Sequence, residues 1–194
     1  MNAHDLLWGM TPAHLPADAP AWAVEALAAV VVRRAIVAPG LVAVGVRGRL
    51  REQRLGAVMP IAAIQHRVVP EALCDVVSPR DLPVLQALAQ LRPVLAPLNW
   101  GVTGSAGFEL ATGIEALHAQ SDLDLILRTP EPLDRNDARD LLATLDKAVC
   151  AVDLQLQTPF GAVALREWAG ASRRVLLKTV SGAHLVIDPW QAVA

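Results

Sequence analysis

The apolar positions of this chain follow two rhythms, one suited to strands and one to helices. Residues 41–46, Leu-Val-Ala-Val-Gly-Val, form an apolar run led in by Pro39-Gly40 and read as a strand. Residues 47–51 continue it or form its exit. Residues 22–32 read as a short helix behind Pro20, although 30–37 is β-branched enough to be a strand. Residues 58–64 fit either a strand or the start of a helix. The first twenty residues are broken by proline and show little periodicity. Pro70, Pro79 and Pro83 punctuate the next stretch, which places a lobe boundary near Ser78-Pro79, giving lobes 1–78 and 79–194.

The second lobe has clearer periods. Residues 82–96 have helical spacing, with Pro83 acceptable in the first turn and Pro93 ending or kinking the helix. Residues 100–103 form a short strand that runs into Gly104-Ser105. Residues 108–111 are helical and stop at Gly113. Residues 122–128 are a strand. Asp134 caps a following helix, with Asp137 in its first turn, and Ala138, Leu141, Leu142, Leu145 and Val149 form its core face. Residues 151–157 alternate as a strand and 161–168 read as helical. Residues 174–180 and 184–187 form a hairpin around Ser181-Gly182. Alternating strands and helices make this lobe α/β or α+β.

Composition narrows the class. Of the 194 residues, 54% are hydrophobic and 19% charged, enough apolar material for a core and too much for a disordered chain. The net charge of −2 argues against a nucleic-acid partner. The apolar runs are too short for a membrane span and no secretory leader is apparent, so the expected location is cytoplasmic. Cys74 and Cys150 have no ligand-spaced neighbours and read as buried, reduced thiols. Between residues 33 and 54 six arginines (33, 34, 47, 49, 51 and 54) face one acid, Glu52, whereas the chain from residue 101 onward is acidic. One lobe is therefore suited to anions and the other to a cation.

The acidic lobe holds the candidate chemistry. Residues two apart on a strand share a face, so Asp122 and Asp124 are neighbours while Leu123 and Leu125 point to a core. Two such carboxylates repel unless a cation lies between them, and Mg²⁺ accepts one or two carboxylates plus substrate phosphates. Asp153 joins them if its strand is adjacent. Gly104-Ser105 follows a strand and opens a helix, where backbone N–H groups and a hydroxyl can cradle phosphate. Each piece alone is weak, since Gly-Ser is usually a turn and Asp-x-Asp often a solvated face. Together they supply what attack on an α-phosphate with departure of pyrophosphate requires.

These residues resemble the pattern of the DNA polymerase β-type nucleotidyltransferases: Gly-Ser at a strand-to-helix turn, Asp-x-Asp on the next strand and a third acid on a later one. The 17 positions from Ser105 to Asp122 are longer than usual there. A closer likeness runs through Gly104-Ser105-Ala106-Gly107-Phe108-Glu109-Leu110-Ala111-Thr112-Gly113 and Ser121-Asp122-Leu123-Asp124-Leu125. It extends to His4-Asp5-Leu6-Leu7-Trp8, Val46-Arg47-Gly48, Leu176-Leu177-Lys178-Thr179 and Asp188-Pro189-Trp190. This set is similar to the phosphoribosyl-dephospho-CoA transferases, the malonate decarboxylase holo-acyl carrier protein synthases.

The resemblance implies an α+β enzyme with a nucleotidyltransferase-like C-terminal lobe of mixed sheet and flanking helices, plus a smaller α/β N-terminal lobe that binds donor or carrier. It implies 2′-(5″-triphosphoribosyl)-3′-dephospho-CoA as donor, a serine of the apo acyl carrier subunit of malonate decarboxylase as acceptor, and Mg²⁺ at Asp122 and Asp124. Asp153 is the candidate third ligand and the candidate base for the serine. Arg47, Arg49, Arg51 and Arg54 are candidates for donor phosphates or an acidic carrier, or else an ordinary charged strand. Lys178 either reaches a leaving pyrophosphate or snorkels to water. Glu109 and Thr112 read as structural, and His4 and Asp5 reach the site only by the family likeness. The same site residues serve an enzyme that uses ATP on a small molecule or protein, which is the alternative activity. A non-catalytic adaptor is disfavoured by three retained acids.

Overall fold

The computed structural model describes residues 1–50 and 52–192, so Arg51 lies outside the described residues. The chain divides into two compact units, 1–69 and 70–194. The first contains β1 (Leu6–Trp8), α1 (Ala21–Glu25), β2 (Val30–Val32), β3 (Leu41–Arg47), β4 (Arg54–Pro60) and β5 (His66–Val68). Its strands form one sheet in the order β4-β3-β2-β1-β5, with every pairing antiparallel. Leu7, Val30, Val44, Val46 and Met59 fill its core, with Trp22 packed against them. This unit is thus an antiparallel sheet with one short α-helix among its described residues, and not an α/β lobe. The β-branched run 30–32 takes the strand alternative, because Val30 and Val31 pair with β1. Residues 54–60 are a full strand, and only 61–63 turn into a 3-10 helix.

The second unit contains α2 (Pro83–Leu95), β6 (Trp100–Val102), α3 (Gly104–Thr112), β7 (Leu123–Arg128), α4 (Arg135–Leu145) and β8 (Val152–Gln157). β9 (Ala162–Ala164), α5 (Leu165–Ala169), β10 (Val175–Lys178) and β11 (Ala183–Val186) follow. The sheet runs β11-β10-β9-β8-β7-β6. It is mixed: β7 and β8 are parallel and every other pairing is antiparallel. The whole is an α+β protein. No helix among the described residues is long and apolar enough to cross a membrane.

Several local outcomes differ from the sequence reading. The helix expected over 161–168 begins only at Leu165, because Ala162–Ala164 is captured as a strand between β8 and β10. On α4 only Ala138 and Leu145 are fully buried, and Val149 lies beyond the helix and is exposed. Pro93 sits inside α2 and does not end it until Leu95. The segment from Pro70 to Val76 belongs to the second unit. Glu71 pairs with Arg128 at 2.6 Å, and Arg92 donates to the carbonyls of Cys74 and Val76. The division therefore falls upstream of Ser78-Pro79.

The long connection from α3 to β7 is organised by one buried carboxylate. α3 ends at Gly113 in the left-handed conformation, φ 71°. Glu109, one turn earlier, accepts from the N–H groups of Ala116 and Leu117 at 2.7 and 2.8 Å and from Arg80 at 2.7 Å. Arg80 also donates to the Leu117 carbonyl. Burial pushes the Glu109 carboxyl upward, but the Ala116 N–H, the Arg80 guanidinium and the Leu117 N–H outweigh it, and the net shift is downward from 4.5. A depressed carboxyl contributes stability above its unfolded value and loses it as pH falls through the folded one. Glu109→Gln is therefore expected to cost about 2 kcal/mol at pH 7. In urea titrations the gap from wild type should begin to close below about pH 4.5. A gap independent of pH would show that the charge of Glu109 contributes nothing.

Candidate active site

The β6–α3 corner and the start of β7 lie against each other. Gly104 has φ 60°, and a Cβ built on it would stand 1.8 Å from Asp124 Oδ2. The Thr103 N–H donates to the Asp124 carbonyl at 2.9 Å, and the Gly107 N–H to the Thr103 carbonyl at 2.8 Å. The Thr103 side chain makes no cap bond, and the first turn of α3 opens with exposed Gly104 and half-buried Ser105. A helix N-terminus, with its first-turn N–H groups and the positive end of the helix dipole, favours an anion.

The acids share one side of adjacent strands. In the parallel register Asp124 pairs with Asp153, Leu123 with Val152 and Leu125 with Leu154. Leu123, Leu125, Val152 and Leu154 are buried, whereas Asp122 and Asp153 are exposed and Asp124 is half-buried. Neighbouring strands lie roughly 4.8 Å apart. Asp124 and Asp153 therefore sit side by side, with Asp122 on the same face immediately before β7.

These oxygen donors suit a hard divalent cation. Gly104 leaves the Asp124 carboxylate the space that a side chain would take. Among the described residues no three Asp, Glu, His or Cys side chains converge as a metal cage. Two carboxylates beside a helix N-terminus match the donor set that Mg²⁺ commonly takes, one or two carboxylates plus substrate phosphates.

Other residues fall elsewhere. Lys178 is in register with Ala162, which pairs with Gln157, which pairs with Arg128. Gln157 is four residues along β8 from Asp153, roughly 13 Å at strand rise. Lys178 thus belongs to the opposite end of the sheet from the acids. Arg47 ends β3 opposite Arg54 in the other unit, and exposed Arg49 follows in the connecting turn. His4 and Asp5 are also in that unit, where buried Asp5 pairs with Arg67 at 2.8 Å and Arg34 Nη1 lies 3.3 Å from His4 Nε2. Both cysteines are free and half-buried. Burial, then Asp75 and Glu71 against Arg92, push the Cys74 thiol up to about 11. Burial, then Asp122, also raise Cys150. Both are poor thiolates at neutral pH.

Two residues at this face escaped the sequence reading. Gln155 continues the side of β8 that carries Asp153, and its Oε1 is buried without a hydrogen-bond partner. The two-residue strand period was the signal for it. Arg166 on α5 is bonded to Asp146 at 2.6 Å, which raises its basicity, and the charge of Asp153 adds to the effect. No local pattern announced that neighbour.

Comparisons with known proteins cover both units. Residues 2–70 match the phosphoribosyl-dephospho-CoA transferase MdcG N-terminal domain, and residues 72–189 match the C-terminal domain of the same family. A phosphoribosyl-dephospho-CoA transferase of Pseudomonas fluorescens (strain Pf0-1) is 67% identical over 97% of this chain and 94% of its own length. One of Pseudomonas aeruginosa is 56% identical over 97% and 93%, and one of Azotobacter vinelandii 55% identical over 98% and 95%. No solved structure matches significantly. The protein is an enzyme of the transferase class. More narrowly, the chain belongs to the phosphoribosyl-dephospho-CoA transferase family.

Gly104 gives the sharpest test of the corner. Gly104→Ala introduces a Cβ where Asp124 Oδ2 stands, at a φ that L-residues rarely adopt. The expected result is a loss of transfer rate of about 100-fold, or about 2.7 kcal/mol of barrier, with a smaller loss of thermal stability. Near-normal turnover with normal melting would refute the close packing of the site.

Proposed function

We propose that the enzyme transfers the 2′-(5″-phosphoribosyl)-3′-dephospho-CoA group from its triphosphate donor to a serine of the apo acyl carrier subunit of malonate decarboxylase. The observation that carries this reading is family membership across both units, joined to the contact of Gly104 with Asp124 beside Asp153. That corner also supports reading the C-terminal unit as a nucleotidyltransferase-like catalytic domain.

In this reading the α3 N-terminus, with Gly104 and Ser105, holds the donor's triphosphate by backbone N–H and hydroxyl donors. Asp122 and Asp124 would hold Mg²⁺, which when bound would neutralise phosphate charge, with Asp153 beside them. The serine oxygen forms a bond to the α-phosphorus and the bridge to the β-phosphate breaks. Pyrophosphate leaves with the bridging oxygen, and Asp153 accepts the serine proton. Arg47 and Arg49 are proposed to bind donor or carrier through charge. Lys178, level with Gln157 and not with the acids, is given no role in the central step, in line with its alternative reading as a lysine that snorkels to water.

Purified enzyme, Mg²⁺ and apo carrier with the triphosphate donor should give a carrier whose mass rises by the prosthetic group. A mass gain with ATP alone would replace this reading with adenylyl transfer. Asp122→Asn combined with Asp124→Asn should abolish transfer while circular dichroism stays unchanged; full activity would remove the metal assignment. Arg47→Ala with Arg49→Ala should weaken carrier or donor binding most at low salt. Unchanged affinity for both there would remove these arginines from the binding surface.

A further inference from the structure

The second unit has another polar concavity, distinct from the acidic face. A cavity of about 480 Å³ is lined by Arg135, Arg139, Arg173, Trp168, Ile187 and Asp188, among others. Arg135 lies over the Trp168 ring, 4.1 Å from its centre, and donates to the carbonyls of Gly170 and Ser172 at 3.0 and 3.1 Å. Arg139 donates from Nε to the Ala169 carbonyl at 3.1 Å and from Nη1 to Asn136 Oδ1 at 2.7 Å. The Arg173 side chain is exposed. Among the described residues none of the three guanidiniums pairs with a carboxylate. Asp188 is the one acid of the lining, and its Oδ1 accepts from the Trp190 N–H.

Three positive charges therefore face one open cavity with one negative charge among them. Backbone carbonyls and an indole hold two of the guanidiniums in place. Fixed planar forks match phosphate oxygens, and the volume is that of a small-molecule pocket. A flat acidic protein surface would need neither the concavity nor the fixed orientation.

The cavity joins two parts of the unit: Arg135 and Trp168 lie beside the Leu133 carbonyl that follows the far end of β7, and Arg173 lies beyond the other end of β10. From Lys178, which is level with Gln157, β10 runs back to Val175 in the direction of Asp153, and Arg173 precedes Val175 by two positions. α5 carries both Arg166, bonded to Asp146 at 2.6 Å, and Trp168, which lines the cavity. A five-residue helix covers only about 7.5 Å.

We infer that this cavity binds the diphosphate in the dephospho-CoA body of the donor, while the reacting triphosphate occupies the α3 corner. The inference rests on the donor proposed above, which carries two separate phosphate groups. Carboxylates and a cation serve the reacting one. The other needs cations of its own, and the three arginines supply them.

Dephospho-CoA, which has the diphosphate and lacks the triphosphate, is the probe. Calorimetry with the full chain should give a Kd that rises about tenfold in Arg173→Ala and less in Arg173→Lys. In the transfer assay the KM for donor should rise by a similar factor, with kcat and the carrier KM little changed. Arg173 is exposed, so the variant should fold; Arg139→Lys gives a second variant with the charge retained and the fork lost. Equal dephospho-CoA affinity in wild type and Arg173→Ala would overturn the inference. A rise confined to the carrier KM would overturn it too and mark a protein-docking face. If wild type transfers from the triphosphate donor while Arg173→Ala leaves dephospho-CoA binding intact, this inference alone fails. If wild type neither transfers from that donor nor binds dephospho-CoA, the donor reading fails with it.

Discussion

Gly104 has no side chain, and the carboxylate of Asp124 occupies the space where one would stand. That exclusion sets the rest of the C-terminal unit. β6 must approach β7 antiparallel, the chain must turn through a positive φ, and α3 must begin directly above the strand that carries the acids. The helix N-terminus and the carboxylates, of opposite polarity, are thereby held close together. Glu109 then completes the geometry from within the same helix. By gathering the N–H groups of Ala116 and Leu117 it returns the long connection to the mouth of β7.

The charge pattern follows from the sheet's two faces. Leu123, Leu125, Val152 and Leu154 bury one side of β7 and β8, and that burial supplies the pairing free energy. Asp124 and Asp153 are neighbours only because the apolar side chains between them face the other way. Repulsion between the two acids is the cost of a register chosen by the core. A ligand of opposite charge relieves it, and Arg166 does so in part from α5.

The acids were legible in the sequence because a two-residue period sorts charged from apolar positions without any knowledge of neighbours. Gly104-Ser105 stood out only in combination with the acids, because Gly-Ser after a strand is usually just a turn. Glu109 read as structural, yet its partner Arg80 lies 29 positions away, and no local pattern joins them. The three residues Ala162–Ala164 have no period long enough to separate strand from helix, so one strand of the sheet went unseen. Its loss hid the register, and with it the distance of Lys178 from the acids. The cavity arginines come from α4 and from the segment before β10, a convergence that only packing creates. In the N-terminal unit the valine-rich segment 30–32 was ambiguous until its pairing with β1 and β3 was known.

Among the described residues β7 and β8 are the one parallel pair in either sheet, and α4 lies between them in the chain. A parallel pair cannot close through a tight turn; the crossover has to form before the ladder can. Contacts of that separation carry a larger loop-closure entropy cost than local hairpins such as β10–β11. Asp124 and Asp153 therefore meet only once their strands are already being sealed by leucine and valine. The unfolded chain keeps these two acids 29 positions apart, and their repulsion arises only together with the core that withstands it.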